Sequence, residues 1–156
     1  MTVSTFYPDP DPETTSVDGI VVRTVANETF ATIIAGAGTE FYDDGAIFGL
    51  IAQLASNALT DNYGNCFRAI ALFDTSALPD TDVISAAALS VKNSAKSTGL
   101  GDTTVAGVAS APASNTGLAN GDFQTMGSTL FGETAAISTM SAGTYYDATL
   151  IAAGIA

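Results

Sequence analysis

Apolar positions along this chain come in short runs, most at a spacing of two, broken by clusters of Gly, Asn, Asp, Ser and Pro. GIVVRTV (Ile20 to Val25) and TFATIIA (Thr29 to Ala35) are rich in β-branched residues and separated by the turn former Asn27, which predicts two strands. CFRAIALFDTS (Cys66 to Ser76) carries Phe67 and Phe73 on one face and Ile70 and Leu72 on the other, the pattern of a strand covered on both sides. In ALPDTDVISAAALSVKNS, Val83, Ala87, Leu89 and Val91 fall on one face while Ala86, Ser90 and Lys92 point the other way, predicting a half-buried strand. TTVAGVAS (Thr103 to Ser110) and YYDATLIA (Tyr145 to Ala152) add two more. Short strands at close spacing with turn-rich connections predict an all-β sandwich.

One segment fits two periods. AIFGLIAQLASNAL (46–59) places Ile47, Leu50, Ile51, Leu54 and Ala58 at helical intervals, but Ala46, Phe48, Leu50, Ala52 and Leu54 also alternate. Gly49 would weaken a helix there by roughly 1 kcal/mol relative to Ala. Helix and strand are equally compatible with this local pattern.

The opening, MTVSTFYPDPDPETTSVDG, has no such pattern. Pro8, Pro10 and Pro12 hold φ near −65°, remove backbone donors and bias Asp9 and Asp11 away from helix, so residues 1–18 read as an extended arm ahead of one sandwich domain at 19–156. In the polyproline conformation, at ~3.1 Å per residue, Tyr7 to Glu13 would reach roughly 20 Å, and the apolar start Val3, Phe6 and Tyr7 would be the part that grips, on a partner or, equally compatible with these residues, on the arm's own domain. Asp9, Asp11, Glu13 and Asp18 offer oxygens of the kind Ca²⁺ takes, yet the run lacks the glycine and glutamate of an EF-hand loop. An irregular calcium site is the alternative reading of the arm, and no other cofactor is expected.

Composition narrows the chemistry. Only 13% of the 156 residues are charged, so Ser, Thr, Asn, Gly and Ala must form most of the surface. Sixteen acids against four bases give a net charge of −12, and Arg23, Arg68, Lys92 and Lys96 form no cluster, which argues against nucleic acid and anionic lipid as partners. No apolar run approaches the length of a bilayer span, and the N-terminus shows no secretory signal pattern.

Histidine is absent, which excludes a histidine base, a Ser-His-Asp or Cys-His nucleophile and the common zinc sites. Carboxylate pairs survive in principle at Asp43–Asp44 and Asp80–Asp82, but both sit in turn-like contexts. AGAGTE (35–40) lacks the third glycine of a dinucleotide loop and reads as a turn; Asn27-Glu28-Thr29 is a formal glycosylation acceptor of low specificity. Cys66, the single cysteine, sits among strand residues and reads as a buried thiol. Arg68, among apolar neighbours and at the same strand parity as Asp74, is expected to pair with a carboxylate. Phe73 is expected to be a buried ring, Asp74 to bond turn amides and Pro79 to end the strand. A non-enzyme is the expectation.

The stretch RAIALFDTSALPDTDVISAAALSV resembles the core signature of DNRLRE-type β-sandwich domains through Arg68, Phe73, Asp74, Ser76, Leu78, Pro79, Ile84, Ser85, Ala87 and Leu89. TFYPDPDPETTSVDG and SAPASNTGLANGDF resemble a branch associated with phage and environmental viral proteins. The resemblance implies a jelly-roll-like antiparallel sandwich with AIFGLIAQL as a strand, and a surface module that binds polysaccharide or holds up a larger structure. Such domains run on past the YDATLIAAGIA region, so the last sheet is expected to be short here. The implied function is a structural or assembly subunit of a virion or extracellular assembly, concretely a phage decoration or tail-associated protein. It would be made in the host cytoplasm, and its partners would be further copies of itself or other assembly proteins. The rival is a carbohydrate-binding or adhesion module, for which the absence of tryptophan removes the commonest stacking ring.

Overall fold

The computed structural model describes residues 3–8, 12–43, 51–56 and 60–155. Most regular structure among them is β strand in antiparallel sheets, with two short helices and two 3₁₀ turns. The chain clusters into two compact units. The first comprises 1–80 and 111–125, the second 81–110 and 126–156.

The first unit holds a four-stranded sheet. β1 (Asp18–Glu28) lies between β2 (Glu40–Tyr42) and β4 (Tyr63–Ala71), and β3 (Gln53–Ser56) pairs with the far side of β4. Ile20, Val21 and Val22 are all fully buried although they alternate between faces, so β1 is covered on both sides. Each such side chain contributes about 1.5–3 kcal/mol by leaving water. On β4, Gly64, Cys66 and Ile70 share one buried face while the alternate residues are half-buried. Of the ambiguous segment 46–59, Gln53–Ser56 is strand, whereas 46–50 and 57–59 lie outside the described residues.

The strand expected at 29–35 is instead a helix, α1 (Phe30–Ala35). Local capping overrides its β-branched composition. The Thr29 side chain accepts from Thr32 N, Asp61 Oδ1 accepts the Phe30 amide at 3.0 Å, and the helix stops at Gly36. Ile33 is its one fully buried residue; Phe30 stays about half exposed, edge-on to Tyr63 at 5.9 Å between centroids.

The second unit has two two-stranded sheets: β5 (Ala88–Lys92) with β8 (Tyr145–Thr149), and β6 (Ala106–Ser110) with β7 (Met126–Glu133). The strand expected from Val83 begins only at Ala88: Val83 and Ile84 are 91% and 48% exposed, because no strand pairs with that segment among the described residues. β8 ends at Thr149 rather than continuing to Ala152, where a one-turn helix, α2 (Ala152–Ile155), begins. Its Gly154 packs so closely on β7 that a Cβ there would lie 2.9 Å from Phe131 Cβ. β2 and β7 were not predicted; β7, MGSTLFGE, alternates too weakly to stand out.

Two glycines of AGAGTE owe their place to packing. A Cβ on Gly36 would lie 2.2 Å from the Arg23 guanidinium carbon, and one on Gly38 would lie 2.5 Å from Asn120 O, whose carbonyl accepts the Gly38 amide at 3.2 Å. Gly38→Ala should therefore destabilise the protein by roughly 1–3 kcal/mol, read as a lower urea midpoint with an unchanged m-value; an unaltered midpoint would show that the 111–125 loop yields freely.

Candidate functional site

The residues singled out in sequence divide between an internal clasp and a surface cleft, both within the first unit. Arg68 stands on β4 opposite Val21 of β1. Its Nη1 donates to Phe123 O, its Nη2 donates to Ile34 O at 2.8 Å, and its guanidinium carbon lies 4.1 Å from the centroid of the Phe123 ring. The expected carboxylate partner is replaced by two carbonyls and a ring. This follows from supply: the end of α1 and the 3₁₀ turn Asn120–Gln124 both present carbonyls without intrahelical partners above β4. Gln124 Nε2 adds a third tie, donating to Ala35 O at 3.0 Å.

Asp122, which the sequence reading overlooked, anchors the loop that reaches Arg68. It is 1% exposed, and its carboxylate accepts the amides of Ala113 at 2.8 Å and Ala119 at 2.7 Å. The only advance signal was an acid beside an aromatic in a Gly- and Asn-rich run, ANGDF. Cys66 is buried in β4 as expected, and that burial pushes its thiol pKa up, away from reactive thiolate.

Phe73 and Asp74 lie beyond the end of β4, in irregular chain. Phe73 is 37% exposed, not the buried ring expected, because β4 stops at Ala71 and Phe73 lies outside the sheet that would cover it. Asp74 does bond a turn amide: its Oδ1 accepts from Ser76 N at 2.9 Å. Pro79 follows the Thr75–Leu78 turn, closed by Leu78 N donating to Thr75 O at 2.9 Å, so it marks the turn exit, eight residues after the strand has ended at Ala71. Phe73, Asp74, Thr75 and Ser76 line an open cleft of about 730 Å³ together with Thr15, Ser16, Leu72 and Asn115.

Of the proposed calcium ligands, Asp9 and Asp11 lie outside the described residues, while Glu13 and Asp18 are half-buried. Among the described residues, no three His, Cys, Asp or Glu side chains stand close enough to hold a metal ion together. In the arm, Val3 and Tyr7 are 83% and 78% exposed, and Phe6 is half-buried. No helix among the described residues is long and apolar enough to cross a membrane.

Arg23 forms a further charged contact in this unit. Its Nε and Nη2 donate to the two carboxylate oxygens of Glu28 at 2.9 and 2.5 Å, and Nη1 donates to Ala37 O at 2.6 Å. The hydrogen bonds from Arg23 hold the Glu28 carboxyl below the usual carboxylate range.

Arg68→Met should lower stability by roughly 2–4 kcal/mol in urea titration, because two carbonyls lose a charged donor, and Arg68→Lys should recover only part, since one ammonium cannot reproduce the planar fork. For Glu28 the folded pKa is depressed. The stabilisation from its pair with Arg23 is therefore complete above the ordinary carboxylate value of ~4.3 and lost as pH falls through the lowered folded value. The urea midpoints of the parent and Glu28→Gln should differ at neutral pH and converge in acid; a gap that persists below ~pH 2 would exclude the pair as its source.

Compared with models of protein families, with curated proteins and with solved structures, the chain shows no match to any of them.

Proposed function

We propose that this chain is a non-enzymatic structural subunit of a virion or extracellular assembly, with a decoration or tail-associated protein as its most concrete form. In this reading its strands form a jelly-roll-like sandwich and its opening residues an assembly arm. The observation that carries the proposal is the contrast between buried and exposed apolar side chains in the second unit. Its fully buried hydrophobic side chains among the described residues are Met140 and Ala148, while Val83, Leu100, Tyr145 and Ile151 are each at least half exposed. A unit of this size with so little buried gains stability when a partner covers such residues.

The arm supports the same reading. Residues 3–8 have no regular secondary structure, and of the three apolar side chains expected to grip, Val3 and Tyr7 are mostly exposed while Phe6 is half-buried, which leaves two of them for a partner to cover. Low charge content makes such surfaces inexpensive to desolvate, and the net charge of −12 keeps unassembled subunits apart until specific contacts outweigh repulsion. The resemblance to phage-associated sandwich domains points to the same class of role.

The purified protein should show a concentration-dependent rise in mass by sedimentation velocity, and removal of residues 1–13 should leave far-ultraviolet circular dichroism and Tm close to the parent while abolishing the larger species. Val83→Asp, at a 91% exposed position, should weaken association without lowering Tm. If the chain of residues 1–156 stays monomeric at millimolar concentration, alone and with the other proteins of its assembly, the proposal is overturned.

A further inference from the structure

The loop that closes the Arg68 clasp contains a step of unusual chemical lability. Among the chain's asparagines only Asn120 precedes a glycine. At an Asn–Gly step the next backbone nitrogen can attack the side-chain amide with least hindrance, because glycine has no Cβ in the way. Asn120 is exposed, and among the described residues its side chain makes no hydrogen bond. Gly121 is the second residue of the 3₁₀ turn Asn120–Gln124, where an amide has no acceptor inside the turn, and among the described residues it has none outside it. A Cβ on Gly121 would meet no atom within 4 Å. Neither reacting group therefore has a partner to give up.

We infer that Asn120–Gly121 is a site of spontaneous deamidation in the folded protein, and that the isoaspartate formed there weakens the Arg68 clasp. The Gly121 nitrogen attacks Asn120 Cγ and loses its proton; the Cγ–Nδ2 bond breaks, ammonia leaves and a succinimide ring closes. Water then opens the ring at Cγ to give aspartate, or at the backbone carbonyl carbon to give isoaspartate. Water is the only co-reactant, and nothing is oxidised or reduced. Attack requires ψ of Asn120 to rotate out of the turn, and the end of a short 3₁₀ turn is where such opening costs least. The backbone bonds that resist it are Asp122 N on Ala119 O at 2.9 Å and Gly38 N on Asn120 O at 3.2 Å, the latter at the long end of the hydrogen-bond range.

The position gives the reaction a structural consequence. In isoaspartate the chain runs through Cβ and Cγ, one methylene longer, and the carbonyl that accepts the Gly38 amide becomes a free carboxylate. Asn120 O lies 2.5 Å from where a Gly38 Cβ would be, so that contact has no slack for a longer chain. Just beyond, Asp122 holds the amides of Ala113 and Ala119, and Phe123 presents its carbonyl and ring to Arg68. Lengthening the backbone at 120 shifts all of these, and either product adds a negative charge two positions from the buried Asp122 carboxylate. Because the reaction runs one way, the loosened fraction grows with the age of the molecule. This inference does not rest on the assembly reading, since every residue it uses lies in the first unit and outside the arm.

The test incubates the chain of residues 1–156 in warm, mildly alkaline buffer without denaturant, with an unincubated sample digested in parallel as the baseline. Chymotrypsin, cutting after Leu118 and Phe123, releases residues 119–123, in which Asn120 is the single asparagine. That peptide should gain about 1 Da and separate into two chromatographic forms, one of them a substrate for isoaspartate methyltransferase, before any other asparagine changes. Gly121→Ala, for which there is open space, should keep the parent's urea midpoint and slow the gain several-fold. Asn120→Ser, which removes the amide and no contact, should hold its midpoint through the incubation, while the midpoint of the parent falls as the modified fraction rises. The site is overturned if the folded protein stays unmodified over a period in which a synthetic peptide of residues 116–126 converts, if another asparagine reacts first, or if Gly121→Ala reacts as fast as the parent. Modified protein with an unchanged midpoint would overturn the effect on the clasp.

Discussion

One guanidinium ties three segments of the first unit to one another. Arg68 sits on a central strand beside fully buried Val21 and Val22, where an unsatisfied charge would cost several kcal/mol. Its needs are met by carbonyls at the end of α1 and in the 3₁₀ turn at 120–124, with the Phe123 ring against its face. Hydrogen bonds from a charged donor contribute about 1.5–3 kcal/mol each, so the arginine acts as a pin through three segments far apart in sequence. Removing it would weaken the hold on both α1 and the 111–125 loop, leaving Gln124 Nε2 on Ala35 O as a tie between them.

The rest of the unit conforms to that pin. Asp122 shapes the loop so that Phe123 O faces Arg68, and Gly38 has no side chain because Asn120 O passes within 2.5 Å of where its Cβ would be. The same loop carries Asn115 to the cleft, which is how an internal contact sets the outer wall of a surface site. Three of the chain's four basic residues donate to backbone carbonyls: Arg68 to Ile34 and Phe123, Arg23 to Ala37 beside its pair with Glu28, and, in the second unit, Lys96 to Ser138. The second unit relies on smaller polar ties. Asp102 accepts from Ser138 N and Oγ and from Thr103 N, and these bonds, chiefly those from Ser138, hold its carboxyl below the ordinary range.

Structure and proposed role meet in the distribution of apolar surface. The first unit buries Val17, Ile20, Val21, Val22, Ile33, Ile70 and Phe123 almost completely, whereas the second leaves strand-coded residues such as Val83 in solvent. Period-two hydrophobicity at 83–91 encodes a buried face, and among the described residues only its second half, from Ala88, is paired. An assembled neighbour would supply the missing cover.

By itself the sequence determined the antiparallel β character, the positions of β1, β4, β5, β6 and β8 to within several residues, the burial of Cys66 and the turn bond of Asp74, because strand periodicity, β-branched content and turn chemistry are local properties. Tertiary structure decided the rest. Thr29 to Ala35 became helix because a cap at Thr29 and the Asp61 acceptor from a distant turn outweighed β propensity, and β2 formed because β1 offered a free edge to three residues with little pattern of their own. Arg68 took carbonyls in place of Asp74, and Phe73 came to the surface beside Asn115, for one reason. Which acceptors reach an arginine, and which side chains meet at a cleft, depend on contacts between residues thirty to fifty-five positions apart, and no local pattern in the chain records them.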